Sequence, residues 1–80
     1  MKRENALSWM REQLNQITGI PQEEIQEEQL LMQDLELSSV EIMQVVAAME
    51  KESQTEVPAR MIRKFIRVRD MVDYLENASV

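Results

Sequence analysis

The chain has 80 residues, seven of them methionine, no cysteine, no histidine and a net charge of -6. That length makes a single domain, residues 1–80, near the small end for independent folding, and without cysteine no disulfide or thiolate-held metal staples it. The missing histidine removes the usual general base, the usual zinc ligand and every Ser-His-Asp triad; an enzyme built only of carboxylates stays conceivable, but a carrier or binding module with no catalytic and no metal-binding residue is the better expectation, and the acidic balance argues against nucleic acid.

The first element is a helix from about Glu4 to Ile17, with Leu7, Met10, Leu14 and Ile17 on one stripe, Ala6 and Gln13 at its border and Trp9 to one side. Gly19, the only glycine, is placed to stop it, and Pro21 follows where a helix cannot continue. Residues 18–38 then form a long acidic connection. Its Ile20, Ile25, Leu30, Leu31, Leu35 and Leu37 predict an ordered loop pinned to the core, with a helical turn near Gln26 to Met32.

A second helix is predicted from about Ser39 to Lys51. Val40, Met43, Val46 and Ala47 share one face, widened by Ile42, Val45 and Met49, and Glu41, Gln44, Ala48 and Lys51 make the outer stripe. Ser38 reads as its N-cap, with Glu41 three residues on to complete a capping box. After the polar Ser53-Gln54-Thr55-Glu56, a short third helix is expected from Pro58 to Ile66, with Met61/Ile62 and Phe65/Ile66 four residues apart. The last helix carries Val68, Met71, Val72 and Leu75, spaced i, i+3, i+4, i+7, with Tyr74 beside them. No strand pattern competes, so the predicted fold is an all-α four-helix bundle with one long loop and one short helix.

The junction of loop and second helix is where chemistry is expected. A serine there lies where free backbone N–H groups and the helix dipole favour a phosphate, although a serine at such a place is also an ordinary helix cap. The stretch Asp34-Leu35-Glu36-Leu37-Ser38-Ser39-Val40-Glu41 resembles the Asp-Leu-Gly-x-Asp-Ser-Leu-Glu signature of acyl and peptidyl carrier proteins. The likeness continues through Val57-Pro58, similar to the Ile-Pro or Leu-Pro before that family's helix III. It extends to Ile66-Arg67-Val68-Arg69-Asp70-Met71-Val72-Asp73-Tyr74-Leu75, similar to its Thr-Val-x-Asp-x-Val-Asp-Tyr-Leu ending. The opening, Leu7-Ser8-Trp9-Met10-Arg11 with Gly19-Ile20-Pro21 and Ile25, looks more like polyketide and peptide synthase carriers than the fatty-acid type. Three positions depart from the pattern: Ser38 replaces the aspartate, Glu36 the glycine, and Arg67 the threonine that often opens helix IV.

The resemblance implies an acyl-carrier fold, no enzyme activity, and a 4′-phosphopantetheine arm from coenzyme A covalently attached to Ser39. It implies acyl intermediates carried as thioesters in polyketide, mixed polyketide–peptide or specialised lipid or fatty-acid biosynthesis. The implied partners are a phosphopantetheinyl transferase, an acyltransferase or ligase, a ketosynthase and other pathway enzymes. A histidine-free chain cannot activate its own serine, so Ser39 makes sense as a substrate for a transferase that brings the base. Glu36, Val40, Glu41, Gln44, Met61 and Ile62 are the expected partner-binding residues, with Glu41 at a position where the family uses acid to steer basic partners. Gln44 and Lys51 weaken that acidity.

Residues 1–59 carry four basic and twelve acidic side chains, residues 60–80 five and three. The basic cluster Arg60, Arg63, Lys64, Arg67 and Arg69 is expected to pair with the acidic loop or to give a partner a recognition edge. Met43, Met49, Met61 and Met71 are expected on inner faces, where flexible thioethers could yield to an entering acyl chain, although Met-filled cores are more often just cores. With no apolar run of membrane length and no signal peptide behind Met1-Lys2-Arg3-Glu4, the expectation is a discrete, monomeric, cytoplasmic carrier without a membrane span. The alternative is an unmodified helical adaptor of the same fold that binds a protein partner, which Ser38 in place of aspartate favours.

Overall fold

A computed structural model describes residues 1–78. It contains four α-helices, α1 (Arg3–Thr18), α2 (Ser39–Ser53), α3 (Ala59–Ile62) and α4 (Val68–Asn77), and a 3₁₀ turn at Gln22–Glu24. Helix α1 ends as expected: Gly19 takes a left-handed φ of 78° and donates its N–H to Asn15 C=O at 2.8 Å. Its buried residues are Ala6, Met10 and Leu14, while Leu7, Trp9 and Ile17 are half-buried. Ala6 is thus central to the stripe rather than its border. Its small side chain suits the close packing of α1 on α4, the most extensive helix pairing in the bundle.

The long connection is ordered and its apolar residues anchor it: Ile25 and Leu31 are fully buried, Leu35 and Leu37 nearly so. Its helical turn lies at Gln22–Glu24, not at Gln26 to Met32. Pro21, with φ of -56°, starts the turn early. The later segment is drawn instead into main-chain bonds with the link between α3 and α4. Leu31 N–H donates to Ile66 C=O at 2.9 Å, Val68 N–H to Gln29 C=O at 3.1 Å, and Arg69 N–H to Glu27 C=O at 2.9 Å. Leu30 and Arg67 form an isolated antiparallel bridge within this seam.

The same seam explains why α3 is shorter than the predicted Pro58 to Ile66. After Ile62 the chain tightens into i→i−3 bonds, Lys64 N–H to Met61 C=O and Phe65 N–H to Ile62 C=O. Ile66 then gives its C=O to Leu31 and its N–H to Asp70 Oδ2 at 2.9 Å, so no helical partner remains for it. Phe65 turns inward and meets Tyr74 edge-on at 5.9 Å between ring centres, while Ile66 faces outward.

In α4 the expected stripe is the observed one: Val68, Met71, Val72 and Leu75 are all buried. Arg67, at its N-cap position, offers no side-chain cap; Asp70 accepts the Arg67 N–H at 2.8 Å instead. The Arg67 guanidinium turns away to Glu28 C=O at 2.6 Å, and Arg69 pairs with the Glu28 carboxylate at 3.0 Å. This half of the basic cluster therefore pairs with the acidic loop, as expected. Arg60, Arg63 and Lys64 stay exposed around α3.

Arg3 holds the far end of the bundle together. Its guanidinium bonds Asp73 at 2.6 Å and Glu76 at 3.0 Å on α4, and also Glu27 in the loop. Asp73 first, then Glu27, push its pKa further above the ordinary arginine value. The pKa rises on folding, so this contribution is fully present below arginine's ordinary titration range and is lost only above it.

Candidate attachment site at the start of α2

The capping box at the head of α2 is complete. Glu41 N–H donates to Ser38 Oγ at 3.1 Å, and Ser38 N–H donates to Glu41 Oε1 at 2.9 Å. Ser38, the N-cap, thus spends its hydroxyl on the helix. Ser39 is the first helical residue, is exposed, and takes no part in the box. At the first two positions of a helix, the N–H groups of Ser39 and Val40, no intrahelical acceptor is available. An exposed hydroxyl beside two outward-pointing amides at the positive end of the helix dipole fits a phosphodiester.

The chain enters this turn through Glu36, whose φ of 57° is left-handed. The carrier pattern has glycine there, and a left-handed backbone is the physical reason: a side chain costs about 1–2 kcal/mol in that region. On either side, Leu35 and Leu37 are buried and fix the approach to the serines, with Leu37 N–H donating to Leu31 C=O at 3.0 Å.

The outward face of α2 corrects the sequence expectation. Val40 is 67% exposed and Met43 48%, and Ala47 is exposed too, so three of the four residues of the expected stripe face solvent and only Val46 is buried. Val46 joins Val45 and Met49 on the buried side, with Ile42 half-buried. Of the four methionines expected inside, Met49 and Met71 are fully buried, Met61 is half-buried and Met43 is outside. Helix α2 also runs to Ser53, two residues past the predicted end, and closes with Gln54 at φ 58°.

The predicted partner residues divide accordingly. Glu36, Val40 and Gln44 are exposed; Glu41 is half-buried and bonded within the capping box; Met61 and Ile62 are half-buried against the core. Met43 and Ala47 belong with them on the open face and were missed. Their spacing from Val40 was a legible signal, but α2 is apolar around most of its circumference, so spacing alone did not choose the buried side.

The chain matches the family model described as "Phosphopantetheine attachment site" over residues 8–75. It is 31% identical to an acyl carrier protein of Acidothermus cellulolyticus over 80 residues, covering 100% of this chain and 95% of that protein. The chain belongs to the acyl carrier protein family. A second relative, an acyl carrier protein of Micrococcus luteus, is 28% identical over 76 residues, covering 95% of this chain and 94% of that one. Among solved structures, the acyl carrier protein from Enterococcus faecalis superposes with a TM-score of 0.82 at 25% identity, covering 99% of this chain and 100% of that one. The protein is therefore a carrier rather than a catalyst: it bears acyl groups on a covalently attached 4′-phosphopantetheine. Its all-helical architecture is the carrier fold. Among the described residues, no helix is long and apolar enough to cross a membrane.

Proposed function

We propose that Ser39 carries the phosphopantetheine arm, and that residues 1–80 act as a single, monomeric carrier domain in the cytoplasm, shuttling thioester-bound intermediates. The observation that carries the assignment is the division of labour between neighbours. Ser38 Oγ is bonded to Glu41 N–H as the helix cap, while the exposed Ser39 stands at the first turn outside that box. The arm supplies the thiol that a cysteine-free chain lacks. The chain itself presents the hydroxyl and steadies the phosphate charge with the Ser39 and Val40 amides; it offers no histidine as base, so a phosphopantetheinyl transferase supplies one.

The cargo pathway in this reading is polyketide, mixed polyketide–peptide or specialised lipid synthesis, with an acyltransferase or ligase and a ketosynthase among the partners. Support comes from the opening Leu7-Ser8-Trp9-Met10-Arg11 and from the outward face of α2, which offers Val40, Met43, Gln44, Ala47 and Lys51 rather than a row of acids. Docking through Glu36, Val40, Glu41, Gln44, Met61 and Ile62 on that side would then depend more on apolar contact than on salt.

Intact mass after incubation with coenzyme A and a broad-specificity phosphopantetheinyl transferase tests the assignment. One added phosphopantetheine is expected in wild type and Ser38→Ala and none in Ser39→Ala. Loss in Ser38→Ala alone would move the site by one residue, and no addition at all would favour the unmodified adaptor.

A further inference from the structure

The seven methionines differ sharply in burial. Met10, Met49 and Met71 are fully buried, and Met1 and Met61 are partly buried against the core. Two stand open to solvent: Met32, 55% exposed, and Met43, 48% exposed. Met32 belongs to the long loop, in a groove with Leu30, Gln33, Phe65 and Ile66. Met43 lies on the open face of α2, between Val40 and Ala47.

Helix geometry ties Met43 to the attachment residue. Ser39 and Met43 belong to one α-helix and stand four residues apart. They therefore share a face one turn apart, about 6 Å along the axis. A long side chain on a helix covers the turn N-terminal to its own Cα, so the Met43 thioether lies over the turn that begins with Ser39. The capping box does not depend on it, because Ser38 and Glu41 close that box between themselves. The chain has no cysteine, so no thiol of its own intercepts an oxidant before an exposed thioether does.

We propose that Met43 is a reversible oxidation site whose sulfoxide closes the carrier to docking, so that a peroxide switches access to Ser39 without unfolding the bundle. The inference rests on the reading of Ser39 as the attachment site and of the outer face of α2 as its docking surface. In the step, a lone pair of the Met43 sulfur attacks one peroxide oxygen. The S–O bond forms, the O–O bond breaks, and the departing oxygen takes up a proton and leaves as water. Sulfur loses two electrons and the peroxide gains them. A methionine sulfoxide reductase with a dithiol reverses the change, yielding water and a disulfide. The product sets a polar oxygen in the middle of the apolar strip Val40, Met43 and Ala47. A partner seated on that strip would bury the oxygen without a hydrogen bond, which opposes docking. The core is spared because Met10, Met49 and Met71 are closed to solvent.

The test treats the chain, before its arm is attached, with hydrogen peroxide and maps the added oxygens by peptide mass spectrometry. It then measures the KM of a broad-specificity phosphopantetheinyl transferase for the treated chain, with coenzyme A in excess. Oxygen is expected first on Met32 and Met43, with Met10, Met49 and Met71 untouched and α-helical CD unchanged. KM should rise on the order of tenfold, the scale set by burying an unpaired polar oxygen. Methionine sulfoxide reductases A and B with dithiothreitol should return it to its starting value. Each variant is compared with its own untreated form: Met32→Leu should keep the response to peroxide and Met43→Leu should lose it. An unaltered KM at full oxidation of Met43 would overturn the proposal, as would a response that survives Met43→Leu. Oxygen entering Met49 or Met71 as fast as Met43, with loss of helical CD, would overturn it too. Failure of the transferase to load the untreated chain would instead overturn the assignment of Ser39, and the switch with it.

Discussion

Met43 and Met49 stand six residues apart on α2, yet one is 48% exposed and the other fully buried. The two faces of this helix have nearly the same residue types and opposite purposes. The inner face, Val45, Val46 and Met49, joins the core formed with α1 and α4. The outer face, Val40, Met43 and Ala47, leaves apolar surface in water next to the attachment turn. Burial rather than hydrophobicity separates structure from function here, and exposed apolar residues that the core does not claim are what a docking surface is made of.

The strongest way to break this contrast is Met49→Ala. It removes a fully buried side chain and is expected to cost about 2–5 kcal/mol, read as a lower urea midpoint at unchanged slope. The adjacent serines give the next effect. Ser38→Ala deletes the capping oxygen and should lose about 1 kcal/mol of stability while still accepting the arm; an equal loss in Ser39→Ala would show that the two roles are not divided. At the entry to the turn, Glu36→Gly relieves a left-handed backbone. Part of that gain is returned through the greater freedom of glycine in the unfolded chain, so a net stabilisation of up to about 1 kcal/mol is expected in thermal melts. The smallest change in stability belongs to Met43→Ala, within about 0.5 kcal/mol. Its effect should show in transfer kinetics instead, as a raised KM for the phosphopantetheinyl transferase or the cognate acyl-loading enzyme. An unaltered KM for both would detach the outer face from docking.

Much of the site was readable before the fold. Ser38 and Glu41 were legible as a capping box because both bonds close within three residues. Gly19 was legible as a helix stop for the same reason, and the clean spacing of Val68, Met71, Val72 and Leu75 admits only one buried face. The side of α2 that faces the core was not readable. With Val40, Ile42, Met43, Val45, Val46, Ala47 and Met49 spread around the helix, periodicity supports more than one orientation. The length of α3 was not readable either, because one of the bonds that draw Ile66 out of a helix comes from Leu31, more than thirty positions earlier in the chain.

The sequence by itself determined the order of the elements, the C-terminal stop of α1, the N-cap of α2, the inner stripe of α4 and the serine pair at the loop junction. These rest on the 3.6-residue period and on side-chain bonds spanning a few residues, both local properties. Only the tertiary structure decided which face of α2 is open, where the long loop makes its turn, and how Arg3 reaches Asp73 across seventy positions. It also decided that Met32 and Ile66 share a groove. Those outcomes follow from which surfaces meet when the helices pack, and residues distant in the chain carry no local mark of one another.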